Sequence, residues 1–274
     1  MKSRLLAALA LALLAVSCTG KLPVMSFNVR YGTAQDGDNV WLNRRDAACA
    51  MIRDQHPAVF GVQEALDFQL EYFKDNCPGY EYVGVGREDG VSEGEHMAVF
   101  YDTERIELLE WGTYWLSDTP EIPSIGWDAA CRRTATWTLL RDKAAKRKFY
   151  FVNTHLDHVG KEARRRGLLL IVERIKAMNP AHWPMVLTGD MNVYPVDPCL
   201  KELRELMEDA RETAPETDND LTWHDWGKVS GTPPIDYVFY SGFRGCTKFE
   251  VIRQPYEGAP YVSDHYPVKA TLRY

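Results

Sequence analysis

The sequence is best understood from residues 185–192, Met185-Val186-Leu187-Thr188-Gly189-Asp190-Met191-Asn192. The first three residues are apolar and have the composition of a buried strand. The polar residues that follow include Asp190 and Asn192, and loops at strand ends commonly carry functional groups. We therefore predict a strand that brings Asp190 and Asn192 to one edge of a sheet.

Five other short apolar runs have strand length and composition: residues 24–29, 59–62, 97–101, 149–152 and 237–240. Polar side chains stand near the ends of three of them: Asn28, Gln63, Glu64, Asn153 and His155. Any single one of these is explained as an ordinary turn residue, since Asn and Asp favour turns. Turn preference does not explain why Glu and His share these positions, so we expect the set to converge on one site.

Helical patterns lie between some of the strands. In residues 161–178 the apolar residues recur at spacings of three and four, which defines one buried face of a helix. Residues 42–55, 67–75 and 198–209 are further predicted helices. Strands that partly alternate with helices and partly follow one another predict an α/β fold, a two-layered mixed β-sandwich flanked by helices. A doubly wound parallel sheet is the alternative.

Bulk composition sets the limits of this interpretation. The chain has 274 residues, 45% of them apolar and 26% charged, which is ordinary for a globular protein. Residues 18–274 suffice for one domain, and we expect a monomer. The formal net charge of −7 disfavours a general nucleic-acid binder, although local basic clusters leave nucleic acid open as a partner.

The first residues predict export. Lys2 and Arg4 precede an apolar stretch, residues 5–16, that is too short to span a bilayer. The following Leu14-Ala15-Val16-Ser17-Cys18 resembles a bacterial lipoprotein signal. That resemblance implies removal of residues 1–17 and membrane attachment through lipid on Cys18, facing the periplasm or the cell surface. A simple secretory signal, with Cys18 incidental, is the alternative.

The polar residue types suit hydrolysis of a phosphate ester. Such chemistry needs a hard cation held by oxygen ligands, a group that orients or deprotonates water, and donors for the developing negative charge. Asn28, Glu64 and Asp264 are suitable ligands for Mg²⁺. Asp190 with Asn192 can hold a water, and histidines can donate to phosphate oxygens.

Six short motifs appear in a fixed order: Ser26-Phe27-Asn28, Val62-Gln63-Glu64, Asn153-Thr154-His155-Leu156, Thr188-Gly189-Asp190-Met191-Asn192, Ile235-Asp236-Tyr237 and Ser263-Asp264-His265-Tyr266-Pro267. Together they closely resemble the endonuclease/exonuclease/phosphatase superfamily. Deoxyribonuclease I, exonuclease III-like repair nucleases, neutral sphingomyelinases, inositol polyphosphate 5-phosphatases and deadenylases belong to it. Each motif alone is weak, but six in order over most of the chain are a strong signal. The resemblance implies a deoxyribonuclease I-like fold and phosphoesterase activity.

The resemblance also implies a metal site. Glu64 would be the main ligand of Mg²⁺, or of Mn²⁺ in its place, with Asn28 beside it and Asp264 nearby. A residue that only satisfies backbone groups in a turn is the alternative for Asn28. Asn153 is more readily explained as a structural residue at the sheet end than as a catalytic one.

For the reaction itself, the resemblance implies that Asp190 orients or activates water with support from Asn192. His155 would bind the scissile phosphate. His265 would stabilise the phosphate or transfer a proton, with Asp236 holding its ring, unless Asp236 is only a strand-start cap. Whether Asp190 or His265 is the general base stays open.

Residues 111–137 are rich in aromatic residues and contain Arg132 and Arg133. Within them, residues 114–120 and 126–131 resemble a bacterial, deadenylase-like branch of the superfamily. The segment is either a wall over the substrate, with an arginine on an anionic group, or a packed irregular insertion. Weaker substrate-contact candidates outside it are His158, Arg164, Arg165, Trp223 and His224. A basic cluster at the start of a helix, such as Arg164, is more often solvated.

The sequence motifs suggest two alternative functions. Residues 153–158, Asn-Thr-His-Leu-Asp-His, match the H-x-H-x-D-H pattern of binuclear zinc hydrolases except for the first histidine. Asp157 and His158 would then bind zinc, but Glu64 and the terminal motif would be unexplained. A non-catalytic binding lipoprotein on a nuclease-like scaffold would have lost residues such as Glu64 and His265, which are present. We therefore predict a metal-dependent phosphoesterase that acts on a phosphodiester or phosphomonoester outside the cytoplasm.

Overall fold

The computed structural model describes residues 20–274, so the predicted signal peptide and Cys18 lie outside the described residues. The strands of the described part are β1 (Lys21–Asn28), β2 (Val59–Gln63), β3 (Tyr80–Val83), β4 (Val99–Asp102), β5 (Ile106–Trp115), β6 (Thr134–Asp142), β7 (Arg147–His155), β8 (Met185–Asp190), β9 (Glu208–Asp209), β10 (Glu216–Thr217), β11 (Asp236–Ser241), β12 (Gly245–Val251) and β13 (Val268–Arg273). Its α-helices are α1 (Trp41–Gln55), α2 (Asp67–Asn76), α3 (Lys161–Met178), α4 (Lys201–Leu206) and α5 (Ala210–Thr213). Short 3₁₀ helices span Gly37–Asn39 and Pro198–Leu200. Over residues 20–274, no helix is both long enough and apolar enough to cross a membrane.

The strands form two mixed sheets. One has seven strands in the order β10-β12-β13-β1-β2-β4-β3, and the other has six in the order β5-β6-β7-β8-β11-β9. Within them β1 pairs with β2 and β7 pairs with β8 in parallel, while most other neighbours are antiparallel. The predicted mixed sandwich is therefore confirmed, and the doubly wound parallel sheet is wrong.

Alternation along the strands separates the core between the sheets from the cores under the helices. In β1, Val24 packs between the sheets with Phe151 of β7, whereas Phe27 packs under α1 and α2. On the outside of the second sheet, Ile171 of α3 packs with Leu187 of β8. Central strands such as β1, β2 and β8 are buried on both faces, which is why their sequences contain short continuous apolar runs.

Asn153 connects the two sheets at the end where the strands finish. Its amide nitrogen donates to the carbonyl oxygens of Val62 (2.8 Å) and Ala98 (3.1 Å), and its oxygen accepts from Gln63 Nε2 (2.7 Å) and Thr188 Oγ1 (3.0 Å). Asn153 is fully buried, so the structural interpretation is confirmed. Gly61 faces it, and a Cβ there would lie 2.3 Å from Asn153 Oδ1.

Strand register brings the polar strand ends to one edge. Asn28 is paired with Gln63 across β1 and β2, and His155 is paired with Asp190 across β7 and β8. Asp236 begins β11 directly opposite Asp190. Parallel neighbours end at the same edge, and the antiparallel β11 starts there, so motifs far apart in sequence meet.

The predicted strands correspond to β1, β2, β4, β7, β8 and β11, although the first ends one residue late and the third begins two residues early. Three of the four predicted helices correspond to α1, α2 and α3. The predicted helix at residues 198–209 is wrong at its end. α4 stops at Leu206, because Glu208 and Asp209 instead pair with β11 as a short strand. Residues 111–137 are not one insertion. They comprise the end of β5, a connection over residues 116–133, and the start of β6.

Candidate active site

A cavity of about 900 Å³ opens at the edge where the strand ends converge. Six of the predicted catalytic and metal-binding residues line it: Glu64, His155, Asp190, Asn192, Asp264 and His265. The other two, Asn28 and Asp236, lie directly behind these and are each only 1% exposed. The volume lies in the range of small-molecule sites, and the lining is rich in ionisable groups.

His265 and Asp236 form a buried pair. His265 Nδ1 lies 2.8 Å from Asp236 Oδ2, and its Nε2 lies 3.7 Å from Asp190 Oδ2. Burial alone would lower the pKa of His265. The charge and hydrogen bond of Asp236, together with Asp190 and Asp264, outweigh burial and raise it to about 10. At neutral pH the imidazole is therefore protonated and can donate from Nε2.

Asp190 has a pKa close to neutral pH. Burial, and after it the negative charge of Asp236, raise the pKa of Asp190 to about 7. The positive charge of His265 and the backbone N–H of Asn192, 2.9 Å from Asp190 Oδ1, act in the opposite direction. A carboxylate with a pKa near neutrality is suited to accept a proton from water.

Glu64 occupies a special backbone position. It directly follows β2 and has φ 62°, in the left-handed region. Its carboxylate accepts from the backbone N–H of Tyr31 (3.2 Å) and from Asn28 Nδ2 (3.0 Å). Asn28 Nδ2 also contacts Asp190 Oδ2 at 3.1 Å, so Asn28 turns its amino group, rather than its oxygen, towards the carboxylates. Asn28 thus orients Glu64 and Asp190 in this conformation, and its role as a metal ligand stays a prediction.

The charge balance fits a divalent cation. Carboxylates of Glu64, Asp190 and Asp264 face one end of the cavity, and Asp236 lies behind them. Arg30 is the cation nearest to Asp264, at 3.9 Å, and it is already bound to Asp36 at 3.0 Å. Clustered oxygen donors with little compensating charge are what Mg²⁺ or Mn²⁺ prefers. Ligating atoms of Asp190, Asp236 and His265 also lie within 4.8 Å of one another, but the hydrogen bond between His265 and Asp236 already engages two of these three groups.

His155 is neutral and fixed by Asn192. Burial, followed by the positive charge of Arg133, lowers the pKa of His155 well below its usual value. Asn192 Nδ2 lies 3.0 Å from His155 Nε2 and donates to the carbonyl oxygen of Leu156, also at 3.0 Å. Because an amide nitrogen only donates, Nε2 accepts and the ring proton lies on Nδ1.

Three of the predicted substrate contacts, Arg133, His158 and Arg164, line the cavity. Asp157 organises them. Its oxygens accept the backbone N–H groups of Gly160 (2.7 Å), Val159 (3.0 Å) and Ala130 (3.1 Å), and Arg133 Nε at 3.3 Å. A second set of potential metal ligands lies here, because ligand atoms of Cys131, Asp157 and His158 are within 4.8 Å of one another. However, the carboxylate is saturated by donors and His158 Nδ1 faces Arg133 Nη2 at 2.9 Å, which argues against the binuclear zinc interpretation.

Arg132 and His224 do not lie where the sequence analysis placed them. Arg132 turns away from the cavity and pairs with Glu88 at 2.5 Å. His224 is 2% exposed, its ring stacks on Tyr266 with centroids 3.9 Å apart, and its Nδ1 accepts the N–H of Gly227. The residue before it, Trp223, lines the cavity instead.

Sequence reasoning missed several cavity residues, including Arg30, Arg87 and Glu95. Arg87 pairs with Glu95 at 2.6 Å. An isolated antiparallel bridge between Ala65 and His96 joins the two segments, and burial, together with the nearby negative charge of Glu64, raises the pKa of Glu95. The loop sequence carries no signal for this long-range pairing. Arg30 could have been predicted from the sequence, because it follows the motif residue Asn28 by two positions.

Comparison with known proteins identifies the family. Residues 25–265 match the family model described as the Endonuclease/Exonuclease/phosphatase family. A crystal structure of an endonuclease/exonuclease/phosphatase from Bacteroides vulgatus is 36% identical and superimposes with a TM-score of 0.87, covering 92% of this chain and 98% of that one. A Bacteroides thetaiotaomicron mannosyl-6-phosphatase is 32% identical with a TM-score of 0.85, covering 92% and 100%. An uncharacterised protein of Acanthamoeba polyphaga mimivirus is 29% identical over 180 residues, which is 62% of this chain and 67% of the viral protein.

The members of this family are phosphoesterases and nucleases. The family match includes each predicted catalytic and metal-binding residue, from Asn28 to His265. The non-catalytic binding lipoprotein is thereby disfavoured, since the site residues are present and assembled. The chain belongs to the endonuclease/exonuclease/phosphatase family of phosphate ester hydrolases.

Proposed function

We propose that this chain is a divalent-metal-dependent phosphoesterase that uses Mg²⁺ to hydrolyse a small phosphate ester outside the cytoplasm. The observation that carries the proposal is the group of Glu64, Asp190, Asp264 and His265 on one cavity, with Asp236 directly behind His265. Asp190 has a pKa suited to accept a proton, and His265 is held protonated. Both residues line the same cavity.

Glu64 and Asp264 would hold the metal, with Asn28 orienting Glu64. When bound, Mg²⁺, or Mn²⁺ in its place, would neutralise charge on the phosphate and make phosphorus a better electrophile. The unusual backbone of Glu64 supports a functional role, because strain of this kind concentrates at ligand-binding positions.

The proton transfers follow from the pKa directions. Asp190 would take a proton from the attacking water, since its pKa lies near neutrality. His265, held protonated by Asp236, is a poor base and a good donor to the phosphate or to the leaving oxygen. The proposal therefore assigns the general base to Asp190, and leaves His155 to donate to the phosphate without adding charge.

The substrate is proposed to be small. A cavity of about 900 Å³ accommodates a sugar phosphate, and the net charge of −7 disfavours a long polyanion. The mannosyl-6-phosphatase relative, similar over its whole length, makes phosphorylated sugars the first substrates to test. Nucleic acid is a disfavoured substrate, and we expect the protein to act as a monomer.

Export is proposed from the leader alone. Residues 1–17 would be removed and lipid on Cys18 would anchor the enzyme to a bacterial membrane, facing the periplasm or the cell surface. Cys18→Ser should move the protein from the membrane fraction to the soluble fraction of the exported material. Retention of the variant in the membrane fraction would contradict the lipid anchor.

The activity is tested by a screen of the purified enzyme with Mg²⁺ over sugar phosphates, other monoesters, diesters, DNA and RNA. We expect hydrolysis of a small ester, and no hydrolysis by Glu64→Gln prepared in parallel. Equal activity of the two proteins would show that the phosphate is cleaved elsewhere or by a contaminant.

A further inference from the structure

Arg133 lines the cavity and has a buried donor without a partner among the described residues. It immediately precedes β6, is 5% exposed and lines the same cavity as His155 and Glu64. Its Nε contacts Asp157 at 3.3 Å and its Nη2 contacts His158 Nδ1 at 2.9 Å, which fixes the plane of the guanidinium. Its Nη1 is buried and has no hydrogen-bond partner among residues 20–274.

A second buried donor in the same cavity also lacks a partner. His155 is 4% exposed, and its Nδ1 finds no acceptor within the described part of the chain. Since Nε2 accepts from Asn192, Nδ1 carries the hydrogen of the neutral ring. Buried donors are rarely left without an acceptor, so two of them on one cavity point to an acceptor that comes with the substrate.

The wall around Arg133 carries excess positive charge. Lys161 and Arg164 line it as well, and Arg164 donates to the carbonyl oxygen of Asp157 rather than to a carboxylate. Asp157 is the carboxylate that faces Arg133, and its oxygens already accept three backbone N–H groups. Of the carboxylates that line the cavity, Glu95 pairs with Arg87, Asp197 accepts the backbone N–H of Cys199, and Glu64 and Asp264 lie where the metal is proposed. A substrate anion is the missing counter-charge of the Arg133 wall.

We propose that Arg133 selects phosphomonoesters by binding the terminal, doubly charged phosphate that a diester cannot present. This inference rests on the proposed function. A monoester phosphate carries a charge of about −1.5 to −2 at pH 7 and three free oxygens, whereas a diester carries one charge and has a second carbon substituent on one oxygen. Arg133 Nη1 would bind the extra charged oxygen, and the neutral His155 would donate to another.

The test compares two chromogenic substrates, p-nitrophenyl phosphate and methyl p-nitrophenyl phosphate, with the Mg²⁺-loaded enzyme. We expect the wild type to prefer the monoester. Arg133→Gln should lower kcat/KM for the monoester about 10- to 100-fold and for the diester less than about threefold, because one charge-assisted hydrogen bond is lost. Arg133→Lys, which keeps the charge, should restore part of the preference.

The neighbouring Arg132 provides a matched control. It has the same side chain, but it pairs with Glu88 and faces away from the cavity. Arg132→Gln should leave the ratio of the two kcat/KM values unchanged. A second measurement, independent of turnover, is calorimetric binding of inorganic phosphate against dimethyl phosphate. Arg133→Gln should weaken phosphate binding about 10- to 100-fold with little change for dimethyl phosphate.

The inference is overturned if Arg133→Gln lowers both activities equally, if the wild type prefers the diester, or if phosphate binding is unchanged in the variant. Should wild-type enzyme cleave neither substrate with any metal, the proposed function is in doubt. Phosphate binding then still decides the role of Arg133. A variant that fails to fold is replaced by Arg133→Lys, for which the same ratio and binding are measured.

Discussion

Replacing Asp236 with Asn tests how the site handles charge. The substitution preserves shape and leaves an acceptor for His265 Nδ1, now 2.8 Å from Asp236 Oδ2, while removing one negative charge from a fully buried pair. An opposite charge in contact commonly shifts a pKa by about 1–3 units. The pKa of His265, about 10 in the native pair, should therefore fall by that amount.

The pKa of Asp190 should fall as well, because the charge of Asp236 helps to raise it to about 7. Asp190 becomes a weaker base, and the His265 imidazolium loses about 1.4–4 kcal/mol of stabilisation, so we expect kcat to drop about 10- to 1000-fold. In a profile of kcat between about pH 5 and pH 10, both limbs should move to lower pH. The Mg²⁺ concentration for half-maximal activity should change little, because Asp236 faces His265 rather than Glu64.

Asp142→Asn is the matched control. Asp142 is another fully buried carboxylate paired with a cation, Arg105, but it lies at the far end of β6 from the cavity. It should retain kcat despite any loss of stability. The reasoning is refuted if Asp236→Asn changes kcat by less than about threefold with unmoved limbs. It is also refuted if the main effect is a higher Mg²⁺ requirement, which would make Asp236 a metal ligand.

Three further predictions concern stability. Asn153→Ala should lower the free energy of unfolding by about 2–4 kcal/mol in urea denaturation, because it leaves buried partners in both sheets unpaired; a change below about 0.5 kcal/mol would contradict this. Gly61→Ala should lower the free energy of unfolding by about 1–3 kcal/mol in the same assay, since its Cβ would lie 2.3 Å from Asn153 Oδ1. An unchanged denaturation midpoint would contradict this, because it would show that the two sheets can move apart to accommodate the methyl group. Burial opposes ionisation of Asp157, but three backbone N–H groups and Arg133 lower its pKa to about 2. The stabilisation lost in Asp157→Asn should therefore be present above about pH 4 and vanish as pH falls towards 2, and a difference independent of pH would refute it.

The site motifs were predictable because each lies where a buried strand ends or starts. Asp190 and His155 end neighbouring parallel strands, and Asp236 begins the strand beside them, so a pattern local in sequence becomes a cluster in space. The missed strands include β5, β12 and β13, which lack a run of apolar residues because many of their positions are only partly buried, and β6, whose buried positions include three threonines. Their identity as strands depends on pairing with distant neighbours, which short windows of sequence do not record.

Cavity residues in loops were less predictable, for the same reason. Glu95 reaches the site through the bridge between Ala65 and His96, which no local pattern indicates. His224 and Trp223 are adjacent, and only the packing of Tyr266 decides that the tryptophan faces the cavity and the histidine does not. Tertiary packing, rather than residue type, selects among neighbours in such loops.

The central claim is that Glu64 supports metal-dependent hydrolysis in this cavity, and metal reconstitution tests it most directly. Chelated wild-type enzyme should be inactive towards its phosphate ester and should recover with Mg²⁺ or Mn²⁺. The activity of Glu64→Gln should remain about 100-fold or more below that of the wild type at the same Mg²⁺ concentration. An unchanged melting temperature would show that the variant is folded. Recovery with Zn²⁺ alone, or full activity of Glu64→Gln in Mg²⁺, would contradict the account.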